Sequence, residues 1–160
     1  ASIEHIIGMR GAAFSAAVML RCQNSSLDML MYYDARPSAF NGMFDFYTYR
    51  PLKGYYPFLM FSKLYELGDA VLAESDSPDV YVLGAVSDTT KAVMLSYYTP
   101  ADNAPKKDIC LHLDPTEPWN IFLLDKDHTM ENIPYVISED GKIHISVENE
   151  TVLLIHNDHE

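Results

Sequence analysis

Leu27-Asp28-Met29-Leu30-Met31-Tyr32-Tyr33 is the stretch whose reading decides the fold. It is nearly unbroken in apolar and aromatic side chains, the pattern of a parallel strand covered on both faces. Upstream, residues 8–23 read as a helix. Ala12, Ala13, Ala16 and Ala17 favour helix and permit close backbone approach, and only Arg10, Arg21 and Gln23 are strongly polar. Asn24-Ser25-Ser26 makes a short polar turn between the two. Downstream, residues 34–53 form a loop far longer than the usual strand-to-helix connection. It carries Arg36, Asn41 and Asp45 among Phe40, Phe44, Phe46, Tyr47 and Tyr49, with Tyr55 at its margin. A helix over 55–67 follows, with Pro57 in its first turn and Gly68 as a left-handed cap. Phe58, Phe61, Leu64 and Tyr65 are expected on its apolar face, opposite Lys63 and Glu66. Helix, turn, parallel-type strand, loop and helix is the grammar of an α/β barrel or open α/β sheet. One parallel strand cannot make a sheet, so this unit reads as part of something larger.

After Gly68 the texture changes. Short alternating or β-branched runs recur at 71–74, 80–86, 92–99, 108–113, 120–124, 135–137, 142–147 and 152–156, separated by turn signals such as Ser75-Asp76-Ser77-Pro78-Asp79 and Glu139-Asp140-Gly141. That spacing predicts an antiparallel β-sandwich. The expected class is therefore mostly β with an α/β remnant: a helix–strand–loop–helix piece of a TIM-type barrel over 1–68, then a sandwich over 69–160. No internal repeat or low-complexity segment interrupts either part.

The chain has 160 residues, of which 48% are hydrophobic, enough for a sizeable core. Its net charge of -12 argues against nucleic acid and against anionic membrane surfaces, and leaves neutral ligands such as sugars open. The two cysteines, Cys22 and Cys110, fall on different expected elements without metal-type spacing and read as free buried thiols. No apolar run has the length of a membrane span. Ala1-Ser2-Ile3-Glu4 lacks an initiator Met and a basic flank, so the beginning reads as a processing or cloning boundary. Nothing here specifies a cellular location.

A longer pattern now becomes visible. Met31-Tyr32-Tyr33-Asp34-Ala35-Arg36-Pro37-Ser38-Ala39-Phe40-Asn41-Gly42-Met43-Phe44-Asp45-Phe46-Tyr47 continues into Arg50-Pro51-Leu52-Lys53-Gly54-Tyr55-Tyr56-Pro57-Phe58 and Leu64-Tyr65-Glu66-Leu67-Gly68. Together these resemble the last strand, loop and helix of a retaining (β/α)8-barrel glycoside hydrolase, most of all the β-xylosidase and arabinofuranosidase-like proteins around family thirty-nine. The likeness covers the first 68 residues by motif and the rest by architecture, since those proteins also carry a β-sandwich after the barrel. The resemblance places the acid/base carboxylate after the fourth barrel strand and the nucleophile after the seventh. The strand here would be the eighth, so no residue of this chain inherits either role. The expectation is a carboxy-terminal fragment that is catalytically silent alone, with no cofactor. The alternative is a non-catalytic carbohydrate-binding or structural sandwich module.

Substrate contact in the whole barrel would fall to Tyr32, Tyr33, Asp34 and Arg36, closest to the strand end. Asp34 and Asp45 invite a paired-carboxylate reading, but a local Asp34–Arg36 ion pair or turn cap is the plainer alternative. The aromatic loop could stack on sugar rings. For Phe44, Phe46 and Tyr47, a plug between barrel and sandwich is the reading preferred. Trp119, the single tryptophan, is assigned to the sandwich core or edge. The scattered histidines lack zinc-site spacing, and no metal site is expected. The remaining partner expectation is self-association through residues 8–67, whose strand edges and helix faces a lone sandwich would leave open.

Overall fold

The computed structural model describes residues 2–158. Two helices, α1 (Ser2–Ile7) and α2 (Met9–Cys22), lead into the long loop. A single 3-10 turn (Lys53–Tyr55) then starts α3 (Tyr56–Leu67). Eight strands follow: β1 (Asp69–Val71), β2 (Val80–Val86), β3 (Lys91–Tyr97), β4 (Lys107–Leu111), β5 (Asn120–Leu124), β6 (Thr129–Asn132), β7 (Ile143–Val147) and β8 (Thr151–His156). They form a six-stranded antiparallel sheet ordered β1-β2-β3-β8-β5-β6 and a separate β4–β7 ladder. The mostly antiparallel, sandwich-like class read from the sequence is the one observed.

The central strand β8 explains the layering. Val152 and Leu154 point into a core shared with α2 and α3, whereas Leu153 and Ile155 point into a second core shared with β4 and β7. The large sheet is thus covered on both faces, and Val152-Leu153-Leu154-Ile155 is apolar without alternation because both sets of side chains leave water. The β7 strand covers only one side. Ile143, Ile145 and Val147 are buried there while His144 and Ser146 face out. Trp119 closes this second core at 6% exposure, its indole N–H donating to the Asp114 carbonyl at 2.8 Å. Burying side chains of this size stabilises by about 1.5–3 kcal/mol each relative to exposure.

The alanines of α2 do what small residues permit. Ala12, Ala13 and Ala16 are wholly buried, bringing the helix backbone onto the sheet. Ser96 of β3, also buried, donates to the Ala13 carbonyl at 2.9 Å, so helix and sheet are bonded as well as packed. On α3 the buried residues are Pro57, Met60 and Leu64. Of the expected apolar face, Leu64 is buried and Phe61 packs against the core, and the correction falls on Tyr65. Tyr65 is 80% exposed, because the sheet lies about a quarter-turn round from the aromatic stripe. Gly68 ends α3 at φ 98°, a conformation only glycine adopts freely.

Local structure departs from the sequence reading at four places. Residues 27–33 form no ladder with any described segment and stay open to solvent. Met31 is 83% exposed, against the buried strand its composition suggests. A parallel strand needs flanking backbones, and none lies beside it among the described residues. No strand forms over 135–137, where Ile137 makes only an isolated bridge to Ile143. The polar edge strand β6 takes its place beside β5 and gave no hydrophobic signal, since its residues are mostly exposed. Residues 2–7, which carry no clear pattern, are helical.

Candidate functional site

The four residues singled out at the end of 27–33 gather into one hydrogen-bonded turn. Arg36 Nε lies 2.7 Å from Asp34 Oδ2, its backbone N–H donates to Asp34 Oδ1 at 3.2 Å, and its Nη2 reaches the Tyr33 hydroxyl at 3.4 Å. The local ion pair is therefore present, and Asp34 is held by it. Asn41 closes the other side. Its amide donates to the Tyr33 carbonyl at 3.0 Å, its backbone carbonyl accepts the Tyr32 hydroxyl at 3.1 Å, and Ser38 donates to its side-chain oxygen at 3.2 Å. Tyr32 packs edge-on against Phe58 of α3, ring centroids 5.2 Å apart. Burial pushes the Tyr32 hydroxyl pKa up, and the charge of Asp34 adds to the shift. The Tyr33–Asp34 peptide is cis. Tyr33 and Arg36 point to solvent, while Tyr32 and Asp34 are half-buried. This is an exposed guanidinium, a phenol and an anchored carboxylate on one turn, a set suited to binding hydroxyl-rich ligands by hydrogen bonds. Asn41 and Ser38 complete it and were not singled out as site residues, because single amides and hydroxyls in a loop carry no periodic signal.

The rest of the loop is more ordered than its length suggests. Phe44 bridges Pro37 on one side and Pro51 on the other, laying three short backbone segments side by side. Gly42 sits where a Cβ would meet the Arg36 carbonyl at 2.3 Å, so only glycine fits. Beyond Phe44 the chain makes a tight hairpin. Asp45 Oδ1 accepts from the Tyr47 N–H at 3.1 Å, the Thr48 N–H at 2.7 Å and the Thr48 hydroxyl at 2.8 Å. These bonds, those from Thr48 first, hold the Asp45 pKa below the ordinary carboxylate value. Asp34 and Asp45 are thus each engaged by their own turn, and the structure does not join them as a catalytic pair. The three residues expected as a plug differ in their surroundings within this chain. Phe44 packs on Tyr55 at 5.4 Å, but Phe46 and Tyr47 are exposed at the hairpin tip.

A further anchor went unread in the sequence. Lys53 Nζ donates to the Asp125 and His128 carbonyls at 2.7 Å each and to the Thr129 hydroxyl at 2.8 Å, tying the end of the loop to the β5–β6 turn. Burial lowers its pKa against the pull of Asp125, Asp127 and Glu131. Within that turn His128 Nδ1 lies 2.9 Å from Asp125 Oδ1, raising the histidine pKa. The signal available was Asp125-Lys126-Asp127-His128, an aspartate capping its own turn.

Between residues 28–33, α2, α3 and the β1–β2 edge lies a groove of about 1170 Å³, lined by Phe14, Met29, Met31, Tyr65 and Tyr98 among others. Among the described residues no group of three or more His, Cys, Asp or Glu side chains could hold a metal ion, and no helix is long and apolar enough to cross a membrane. Cys22 and Cys110 are free and half-buried.

No family model and no curated protein matches the sequence. Solved structures do match the fold. A glycoside hydrolase family 30 subfamily 8 xylanase from Clostridium acetobutylicum superposes with a TM-score of 0.73 at 14% identity, over 95% of this chain and 40% of its own. An endoxylanase of that family from Clostridium papyrosolvens gives 0.70 at 11% identity, over 95% and 39%. A glucosidase from Croceicoccus marinus gives 0.62 at 14%, over 92% and 42%. The chain therefore has the fold of part of these glycoside hydrolases and spans about two fifths of their length. These structures match the fold of glycoside hydrolases and do not single out family thirty-nine.

Proposed function

We propose that this chain is the carboxy-terminal part of a polysaccharide-degrading glycoside hydrolase, comprising the last barrel elements over 1–68 and an accessory sandwich over 69–160. In that reading residues 27–33 are the eighth barrel strand, and Tyr32, Tyr33, Asp34 and Arg36 contact substrate at its carboxyl end. The observation that carries it is the fold match over nearly the whole chain, combined with an apolar seven-residue run that has no strand partner among the described residues. The catalytic carboxylates lie outside this chain, so its role is to bind sugar and brace the barrel. The neighbours are named as xylanases and a glucosidase, which supports a xylan- or glucan-type substrate. A xylosidase or arabinofuranosidase specificity is the finer form of the same proposal.

The test is an extended protein in which roughly two hundred upstream residues complete a barrel of about 250. It is expected to hydrolyse xylan or glucan, and Arg36→Ala should raise KM severalfold. Failure on every polysaccharide would remove the reading. The 160-residue chain alone should not turn over aryl xylosides. Turnover abolished by Asp34→Asn would show instead that this turn is itself catalytic.

A further inference from the structure

We propose that the hairpin tip Phe46-Tyr47-Thr48-Tyr49 is a preformed stacking platform for a neutral pyranose chain of the xylan or glucan class. The inference rests on the function proposed above and adds a binding element to it. Phe46, Tyr47 and Tyr49 are 51%, 83% and 69% exposed, yet they do not sit on a slack loop. The Asp45 carboxylate accepts three bonds from the tip. The stem is closed by the Asp45 N–H to the Arg50 carbonyl at 2.9 Å and the Tyr49 N–H to the Asp45 carbonyl at 3.0 Å. Phe46 and Tyr47 are set at 90° with centroids 5.2 Å apart, so their rings orient one another.

Tyr49 adds an independent argument. Its φ is 57°, in the left-handed region where glycine or asparagine is the ordinary occupant. A tyrosine there costs backbone energy and buries little in return, so stability does not account for it. Binding does. Aromatic faces fixed before the ligand arrives avoid the ordering cost that a mobile tip would incur. The occupant follows from the chemistry of the tip. It offers flat rings and hydroxyls with no Leu, Ile, Val or Met side chain, which suits the C–H face and hydroxyl rim of a pyranose better than an apolar protein surface. The chain's net charge of -12 selects against polyanionic glycans.

The experiment is an NMR titration of the full chain with xylohexaose and cellohexaose, following the aromatic ring signals, with heparin hexasaccharide as the anionic control. Saturable shifts of Tyr47 and Tyr49 by a neutral hexasaccharide are expected. Tyr47→Ala should weaken binding by several-fold to about tenfold, the range of one aromatic contact. Tyr49→Gly should separate the two roles, raising Tm by relieving the backbone while lowering affinity. Absence of ring shifts with both neutral sugars overturns the proposal, as does Tyr47→Ala changing only the sedimentation of the chain, which would make the tip a protein contact. In the extended enzyme Tyr47→Ala should raise KM for the polymer. Activity indifferent to this change defeats the platform alone, whereas an enzyme inactive on every polysaccharide defeats the function on which it rests.

Discussion

Lys53 shows how a single side chain can hold two parts of the chain in register. Its ammonium is satisfied by two carbonyls and a hydroxyl from the β5–β6 turn. Lys53→Met would keep the stem and leave those acceptors without their donor. It should destabilise the fold by about 1–3 kcal/mol, measured by urea unfolding. Unchanged stability would mean that the turn is held by the Asp125 bonds alone. Two histidines should titrate in opposite directions. His128 is raised by its bond to Asp125, so its contribution is complete below the unfolded value of about 6.5 and is lost as pH rises through the folded one. His156 stacks on Phe122 and is lowered, first by burial. Its contribution is present above about 6.5 and is lost as pH falls through the folded value. Imidazole proton shifts recorded across pH 4–9 would read both, and a shared midpoint near 6.5 would refute the pair of assignments.

At the scale of elements, α2 is the most legible piece. Its alanines predict close approach, and Ala12, Ala13 and Ala16 lie flat on the sheet. Ala16→Leu should therefore cost about 1–3 kcal/mol by overpacking, whereas Phe14→Leu on the exposed side should change little. Equal Tm values for the two variants would contradict the packing described. Strands 80–86 and 120–124 are also legible to the residue, because their apolar runs end at clear turns. The failures have physical causes. Thr129-Met130-Glu131-Asn132 is an edge strand with little to bury, so hydrophobicity cannot mark it. Tyr135 and Ile137 look like strand residues but join no ladder: the Tyr135 hydroxyl accepts the Trp119 backbone N–H at 3.1 Å, and Ile137 makes only an isolated bridge to Ile143. At the candidate site the Asp34–Arg36 pairing was readable from adjacency. The Asn41 bridge and the Lys53 anchor depend on residues brought together only by folding.

For the whole molecule, the question is what covers residues 27–33 and the groove beside them. The helices answer part of it. Their alanine and Met60–Leu64 faces are already packed on the sheet, so the apolar surface left open is smaller than the sequence suggests. What remains is concentrated. Leu27, Met29, Leu30, Met31 and Tyr33 are each between 48% and 83% exposed, on a segment without a ladder. Unpaired backbone flanked by apolar side chains seeks another strand. Under the function proposed above, neighbouring barrel strands would supply it. For this chain alone, the simplest partner is the same segment of a second copy, since antiparallel pairing of identical strands is two-fold by construction. The charge opposing such a pair is modest locally, because Asp28 is the single carboxylate in the run. Sedimentation at micromolar concentration should therefore show a reversible dimer. Met31→Lys, placed where the side chain is most exposed, should dissociate it without altering Tm at low concentration, whereas Val136→Lys on the sandwich should not. A chain that stays monomeric, or a dimer insensitive to Met31→Lys, would rule out this segment as the contact.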